Sequence, residues 1–331
     1  MLRRFFLAFV GAISIEGLAA CGSTSNQAIS IGPNFATGSL YVTNSNVNSI
    51  SIFAPNAATG AHPVNSIGGS STGLTNPQYI AFDVSKRAYV SNYNTATSTG
   101  SITAYASQAT GSVLPLAVIS GAATTLGQAR GITVDAAGNI YVANVAFPPS
   151  LTSSILVFAA GASGNTAPAR SISGALTLLA FPAGIAINGS ANIFVANSAN
   201  ASIEQFSSAA TGNMAPTKTI VGPLTGLVVP AGLTLDLAGN IYVTDVGPGN
   251  SSIVEFAASA TGNSSPMRVI AGSLTTLNNP SDIKLDAAGN IYVTNTGTGN
   301  VLVFSNSASG NVAPTAVLNG AGNVVGLALS P

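Results

Sequence analysis

Six times along the chain an aromatic residue followed by Val runs into a polar stop. The steps begin at Tyr41, Tyr89, Tyr141, Phe194, Tyr242 and Tyr292, at intervals of 48, 52, 53, 48 and 50 residues. A unit of about 50 residues with room for four short strands cannot bury both faces of its own sheet, so the copies must stack on one another.

Four copies show the unit in full. Gly131–Asp135 reads as a short strand, 135–139 as a tight turn and Ile140–Asn144 as the returning strand, and the pattern recurs at 184–197, 232–245 and 283–295. Gly138, Gly239 and Gly289 fall where the turn needs φ > 0, and Asp135, Asp236 and Asp286 can accept from the turn backbone. A third strand follows at Ser154–Phe158, Ser202–Phe206, Ser252–Phe256 and Val301–Phe304. Then comes Ala-Ser/Thr-Gly-Asn-x-x-Pro, at 162–168, 210–216, 260–266 and 308–314, leading into a fourth strand. Pro63, Pro115, Pro168, Pro216, Pro266 and Pro314 enter that fourth strand; because Pro cannot donate to a ladder, it marks the outermost strand and blunts its free edge.

The two ends of the repeat array complement each other. Leu40–Asn44 lacks the short strand that precedes its counterparts, while the chain finishes on such a strand, Val325–Leu329, with no hairpin partner after it. An all-β, six-bladed propeller is therefore expected over 39–331, its last strand completing the first blade. An open β-solenoid would not leave matching halves of one blade at the termini.

The first residues carry an address. Arg3 and Arg4 precede an apolar stretch, Phe5–Ile15, and Leu18-Ala19-Ala20-Cys21 closes the segment with small residues, as an export signal does. The apolar stretch is shorter than the roughly 20 residues of a membrane span, and Glu16 interrupts it. Leu-Ala-Ala-Cys resembles the lipobox of bacterial lipoproteins, in which the Cys is lipidated and becomes the new N-terminus. Cys21 is the only cysteine, and lipid attachment gives it a role; the plainer alternative is a cleaved signal with a Cys beside the cut. The expected organisation is a lipoprotein signal peptide at 1–20, a flexible tether at 21–38 and the propeller. By the same resemblance, Gly22 after the Cys favours the outer membrane of a two-membrane envelope, the lipid chains holding the protein there.

Removing 1–20 takes two of the nine Lys/Arg and one of the nine Asp/Glu, leaving seven basic and eight acidic residues with one His. No basic surface exists to neutralise a phosphate backbone, which excludes nucleic acid as a partner. The mean hydropathy of +0.47 belongs to an all-β core, since the apolar residues come in strand-length groups between Gly, Asn and Pro.

Tyr41-Val-Thr-Asn44 and Tyr292-Val-Thr-Asn295 resemble the repeat of YVTN-type β-propellers, and the Pro-x-Gly-Ile-x-x-Asp-x-x-Gly-Asn-Ile-Tyr-Val pattern resembles NHL-repeat propellers. Propellers of these kinds include protein-interaction scaffolds, surface proteins, lactonases and streptogramin lyases, so the resemblance implies a fold more than an activity.

Repeated residues are explained by repeated structure, so candidate sites lie where a copy departs from its sisters. The entrances to the innermost strands read Pro77-Gln-Tyr-Ile, Ala129-Arg-Gly-Ile, Pro182-Ala-Gly-Ile, Pro230-Ala-Gly-Leu, Pro280-Ser-Asp-Ile and Val324-Val-Gly-Leu. Arg130 and Asp282 stand out. The long loops beside Arg130 bring Tyr93 and Phe147, a combination suited to anchoring a partner or an anion; the structural alternative is an Arg bonded to loop carbonyls. Asp282 and Lys284 share one side of their strand and are expected to pair, with Asp245, where most sister blades carry Asn, able to join them. A metal-dependent lactonase or lyase meets obstacles: His62 lies away from the expected ligand face, and the turn aspartates are too far apart for acid–base work. No cofactor is expected. The expected role is a lipid-anchored module of the bacterial cell envelope that binds another envelope protein or a small ligand.

Overall fold

The computed structural model describes residues 38–146, 152–247, 250–320 and 322–331, within a compact unit spanning 34–331. Cys21, the signal segment, the expected tether up to residue 37 and Phe147 lie outside the described residues. Six antiparallel sheets of four strands each form the fold. From the axis outward, blade 2 comprises Pro77–Phe82, Ala88–Asn94, Thr99–Tyr105 and Ala117–Ile119. Blade 3 comprises Gln128–Val134, Ile140–Val145, Ser154–Phe158 and Arg170–Ser173. Blade 4 has Pro182–Ile187, Ile193–Asn197, Ser202–Phe206 and Lys218–Ile220. Blade 5 has Pro230–Leu235, Ile241–Gly247, Asn250–Phe256 and Arg268–Ala271, and blade 6 Pro280–Leu285, Ile291–Asn295, Asn300–Phe304 and Ala316–Leu318. Blade 1 joins both ends of the array: Val324–Leu329 is its innermost strand, followed by Leu40–Asn44, Ser49–Phe53 and Asn65–Gly68. Leu40 pairs Leu329 and Val42 pairs Leu327, and the amides of Gly38 and Ser330 extend the seam by bonds of 2.8 Å each to Ser330 and Ser39 carbonyls.

Each letter of the Tyr-Val-Thr-Asn step has a physical task. The Val of all six copies is fully buried among residues of two adjacent blades, so the core consists of the seams between blades. The Tyr141 hydroxyl reaches back to the turn carboxylate of Asp135 at 3.1 Å. Every innermost strand carries a register irregularity near its start, of the kind that leaves an amide without a ladder partner. The hydroxyl after Val accepts that amide: Gly232 N–H to Thr244, Asp282 N–H to Thr294 and Gly326 N–H to Thr43, each at 2.8 Å. Finally the Asn fixes the incoming connector, its Oδ1 accepting from Thr75, Gly127, Ala180 and Asn278 amides in blades 2, 3, 4 and 6.

The recurrent prolines lead into the outermost strands, as expected, without forming part of them. They stand two residues ahead, and in five blades the amide just after the Pro makes the first bond to the third strand, as Leu116 does to the Ala104 carbonyl at 2.7 Å. Nor is the outer edge left for proline to blunt. The Gly of each Ala-Ser/Thr-Gly-Asn turn pairs with the outermost strand of the preceding blade, as Gly212 N–H does with Ser171 O at 2.7 Å, and Gly60 does the same to Val317 across the closing seam at 2.8 Å. The Asn next to it then accepts the amide of a short 3-10 turn in that neighbouring blade: Asn213 from Leu176, Asn263 from Leu224 and Asn311 from Leu274. The motif is thus a clasp between blades, and pairing of the edge protects it better than proline alone.

Candidate functional site

The innermost strands start on the face that carries the blade-to-blade connectors and end on the face that carries the Asp-x-x-Gly-Asn turns. Their third residue packs against the neighbouring inner strand. Gly fills that position in four blades: a Cβ on Gly131, Gly184, Gly232 or Gly326 would stand 2.4–2.5 Å from backbone atoms of the next blade. Tyr79 and Asp282 are the two departures. Tyr79 is buried and crosses the axis from blade 2 to blade 6, donating its hydroxyl to the Ser281 carbonyl at 3.2 Å. Burial pushes its phenol up to about 12, opposed by the neighbouring Arg130 guanidinium and reinforced by the Asp282 carboxylate, so it stays protonated across the physiological range. Sequence reasoning passed over Tyr79, although its break in the Gly column was the available signal.

Asp282, also buried, accepts from Lys284 Nζ at 3.0 Å, from the Ile283 amide at 2.8 Å and, across the seam, from Leu327 N–H at 3.0 Å. Lys284 donates as well to the Ile283 carbonyl and lines the turn-face mouth, a pocket of about 450 Å³ walled by residues such as Ile132, Ile185, Leu233 and Leu329. Asp245 joins neither of them. Its oxygens accept the Val228 and Val229 amides at 2.9–3.1 Å, so it does the connector-holding work of the Asn in sister blades. Burial pushes its carboxyl up, and those two amides pull it partway back.

Arg130 has an aromatic neighbour that the sequence did not suggest. Tyr93 is half-buried in the second strand of blade 2, and the ring that meets Arg130 is Phe181, from the connector entering blade 4, with the guanidinium 5.1 Å from the ring centroid. That connector position is occupied by Asn76 and Asn279 in two sister blades, and all three have positive φ. Asn tolerates this conformation, whereas a Phe held at φ 56° is a strained exception. Arg130 has no carboxylate within ion-pair distance among the described residues, and its Nε is buried without an acceptor. Together Arg130 and Phe181 form one side of a pocket of about 460 Å³ at the connector-face mouth, closed by Ala199, Val229, Val246 and Val325. Arg130 is the only charged side chain among its described lining residues.

A catalytic metal of the lactonase kind does not fit these residues. Among the described residues no three His, Cys, Asp or Glu side chains gather, and the axial carboxylate, Asp282, already accepts from three N–H groups. His62 is exposed and lies beside Gly320 at the seam between blades 1 and 6.

No protein-family model matches the sequence, and a search of curated proteins returned no match. Solved structures do match in fold. The periplasmic gluconolactonase of Pseudomonas aeruginosa aligns over 89% of this chain and 99% of its own, with a TM-score of 0.61 and 13% identity. A chain of the nidogen/laminin complex aligns over 88% and 98%, at 0.59 and 15%. A streptogramin B lyase aligns over 81% and 76%, at 0.50 and 14%. These neighbours span hydrolysis, elimination and protein–protein association, so at such identities the likeness shows the chain to have the six-bladed propeller fold and leaves its activity to be argued from the site.

Proposed function

We propose that this chain is a binding module of the bacterial cell envelope, a propeller of the YVTN and NHL repeat type held at a membrane by lipid on Cys21. Its ligand site is the Arg130–Phe181 pocket. The observation that carries this reading is Phe181, placed at a strained φ of 56° where two sister blades with the same conformation use Asn76 and Asn279, and set under an Arg with no carboxylate at ion-pair distance among the described residues. Repeat structure explains neither residue, and strain retained at a pocket mouth is a mark of a functional site. Gly38 and Ser330 meet at the turn-face end of blade 1, on the face opposite the pocket.

The lactonase or lyase alternative draws on the likeness of fold to the gluconolactonase and the streptogramin lyase. The pocket offers it no general base: the one charged lining side chain among the described residues is Arg130, a guanidinium that has donors and no acceptor. Two measurements test the proposal. Radiolabelled palmitate should enter the wild-type chain and not Cys21→Ser; equal labelling removes the anchor. A fragment screen by NMR on the full mature chain should give hits that shift Ala199, Val229 and Ala231 amides and disappear in Arg130→Ala. Hits confined to the turn face, or turnover of a lactone that needs a divalent ion, would refute the binding role.

A further inference from the structure

Resting on that reading of the pocket, we infer that its ligand is a small organic acid, one carboxylate on an apolar body of about a dozen heavy atoms. The second residues of the inner strands face this mouth, and four of them line it: Arg130, Ala231, Ser281 and Val325. One cation therefore stands in an otherwise uncharged ring. Its charge is partly desolvated, with Nε buried and unpaired, and its planar donor array suits a carboxylate. Lys284 and Asp282 do not compensate it, because they pair with one another at 3.0 Å.

The polar groups of the wall decide against a sugar or sugar lactone. The Ser198 hydroxyl donates to Pro230 O at 2.8 Å, Thr296 to Val324 O at 2.8 Å, and Ser281 to Val325 O. Their protons are engaged, so they can accept from a ligand but have none to give it. A polyol entering such a wall would find donors only on Arg130 and Asn279, so most of its hydroxyl oxygens would be left without one, at a cost for each. The remaining wall is the Asn279 carboxamide, which can donate and accept, and Phe181, Ala199, Val229, Ala231, Val246, Pro280 and the methyls of Val325, which reward a largely apolar body. A volume of about 460 Å³ equals roughly 15 water volumes at about 30 Å³ each, enough for a phenylalkanoate or a medium-chain fatty acid and too small for a peptide.

The probes are 4-phenylbutyrate, its uncharged amide, the corresponding amine and glucono-δ-lactone, titrated into the full mature chain by calorimetry and by amide NMR. Phenylbutyrate should shift Ala199, Val229 and Ala231 and bind at least tenfold more tightly than the amide, with the amine weakest. Arg130→Gln should erase that tenfold preference, since the charge-assisted bonds to the carboxylate are lost, and Phe181→Leu should weaken acid and amide alike; unchanged thermal unfolding of both variants shows that they fold. If the amide binds as well as the acid, or the lactone binds best, the organic-acid inference fails while the pocket stands as a ligand site. If no probe moves any pocket amide, the inference and the pocket reading fall together.

Discussion

Replacing Leu327 by Ala tests whether the seam between the two chain ends carries the ring. Leu327 is fully buried and packs with Leu40, Val42, Tyr292 and Val301 in the seam between blades 6 and 1. Its amide is held by Asp282 of blade 6 at 3.0 Å, and its strand pairs Val42 of blade 1. A buried Leu→Ala change costs about 2–5 kcal/mol, the upper half applying where the site cannot collapse. The closed backbone on both sides of Leu327 favours the upper half. At about 2 °C per kcal/mol for a domain this large, the midpoint should fall by roughly 7–10 °C. Removing 325–331 takes away the ladder as well and should destabilise by more than the point change, a large share of a total stability of about 5–15 kcal/mol. Circular dichroism melts and urea titrations at fixed concentration would measure both, with Leu274→Ala, at an exposed site, as a control expected within about 0.5 kcal/mol. Unfolding of the truncated chain at the wild-type midpoint would refute closure by this seam.

Glu204 is fully buried and accepts from Ser202 at 2.7 Å and Thr219 at 2.6 Å with no ion-pair partner among the described residues; burial pushes its carboxyl above its ordinary value of 4.5, with hydrogen bonds opposing. A raised carboxyl means that the folded state holds the proton more tightly, so stability is full below about pH 4.5 and is lost as pH rises through the folded value. Glu204→Gln should therefore flatten the fall in melting temperature between pH 4.5 and 7.5, and a slope equal to the wild type's would count against this assignment. Gly222→Ala would bring a Cβ to 2.5 Å from Asn263 Oδ1 at φ 126° and should cost about 2 kcal/mol or more; Asn263→Ala alone should cost about 1 kcal/mol through loss of the bond from Leu224 N–H. In a double-mutant cycle the second change should relieve part of the first, and strict additivity would show that the clasp is not the source. Tyr79→Phe removes the bond across the axis to Ser281 and should cost about 1 kcal/mol in urea unfolding, since it leaves a buried carbonyl without that donor.

The propeller was legible in the sequence because each blade is specified by short-range signals repeated at one period: two-residue alternation, a turn Gly, an Asp that caps its own turn. Closure was legible too, since half a blade at either end has only one way to bury its open face. The same locality explains what was missed. The Ala-Ser/Thr-Gly-Asn motif reads as a lead-in to its own blade until the neighbouring blade stands beside it, where its Gly and Asn are seen to satisfy backbone groups of the preceding copy. Asp245 read in sequence as able to join the Asp282–Lys284 pair; in the ring it holds a connector, while Asp282 ties an inter-blade seam. Only the closed ring decides which departures from the repeat face each other, because it sets inner strands from every blade around one axis irrespective of their separation along the chain. It set Arg130 over Phe181, and laid Tyr79 against Ser281, 202 residues away. A repeat fixes what every blade has in common through local chemistry, and the pocket arises from unrepeated residues whose contacts exist only after the ring has closed.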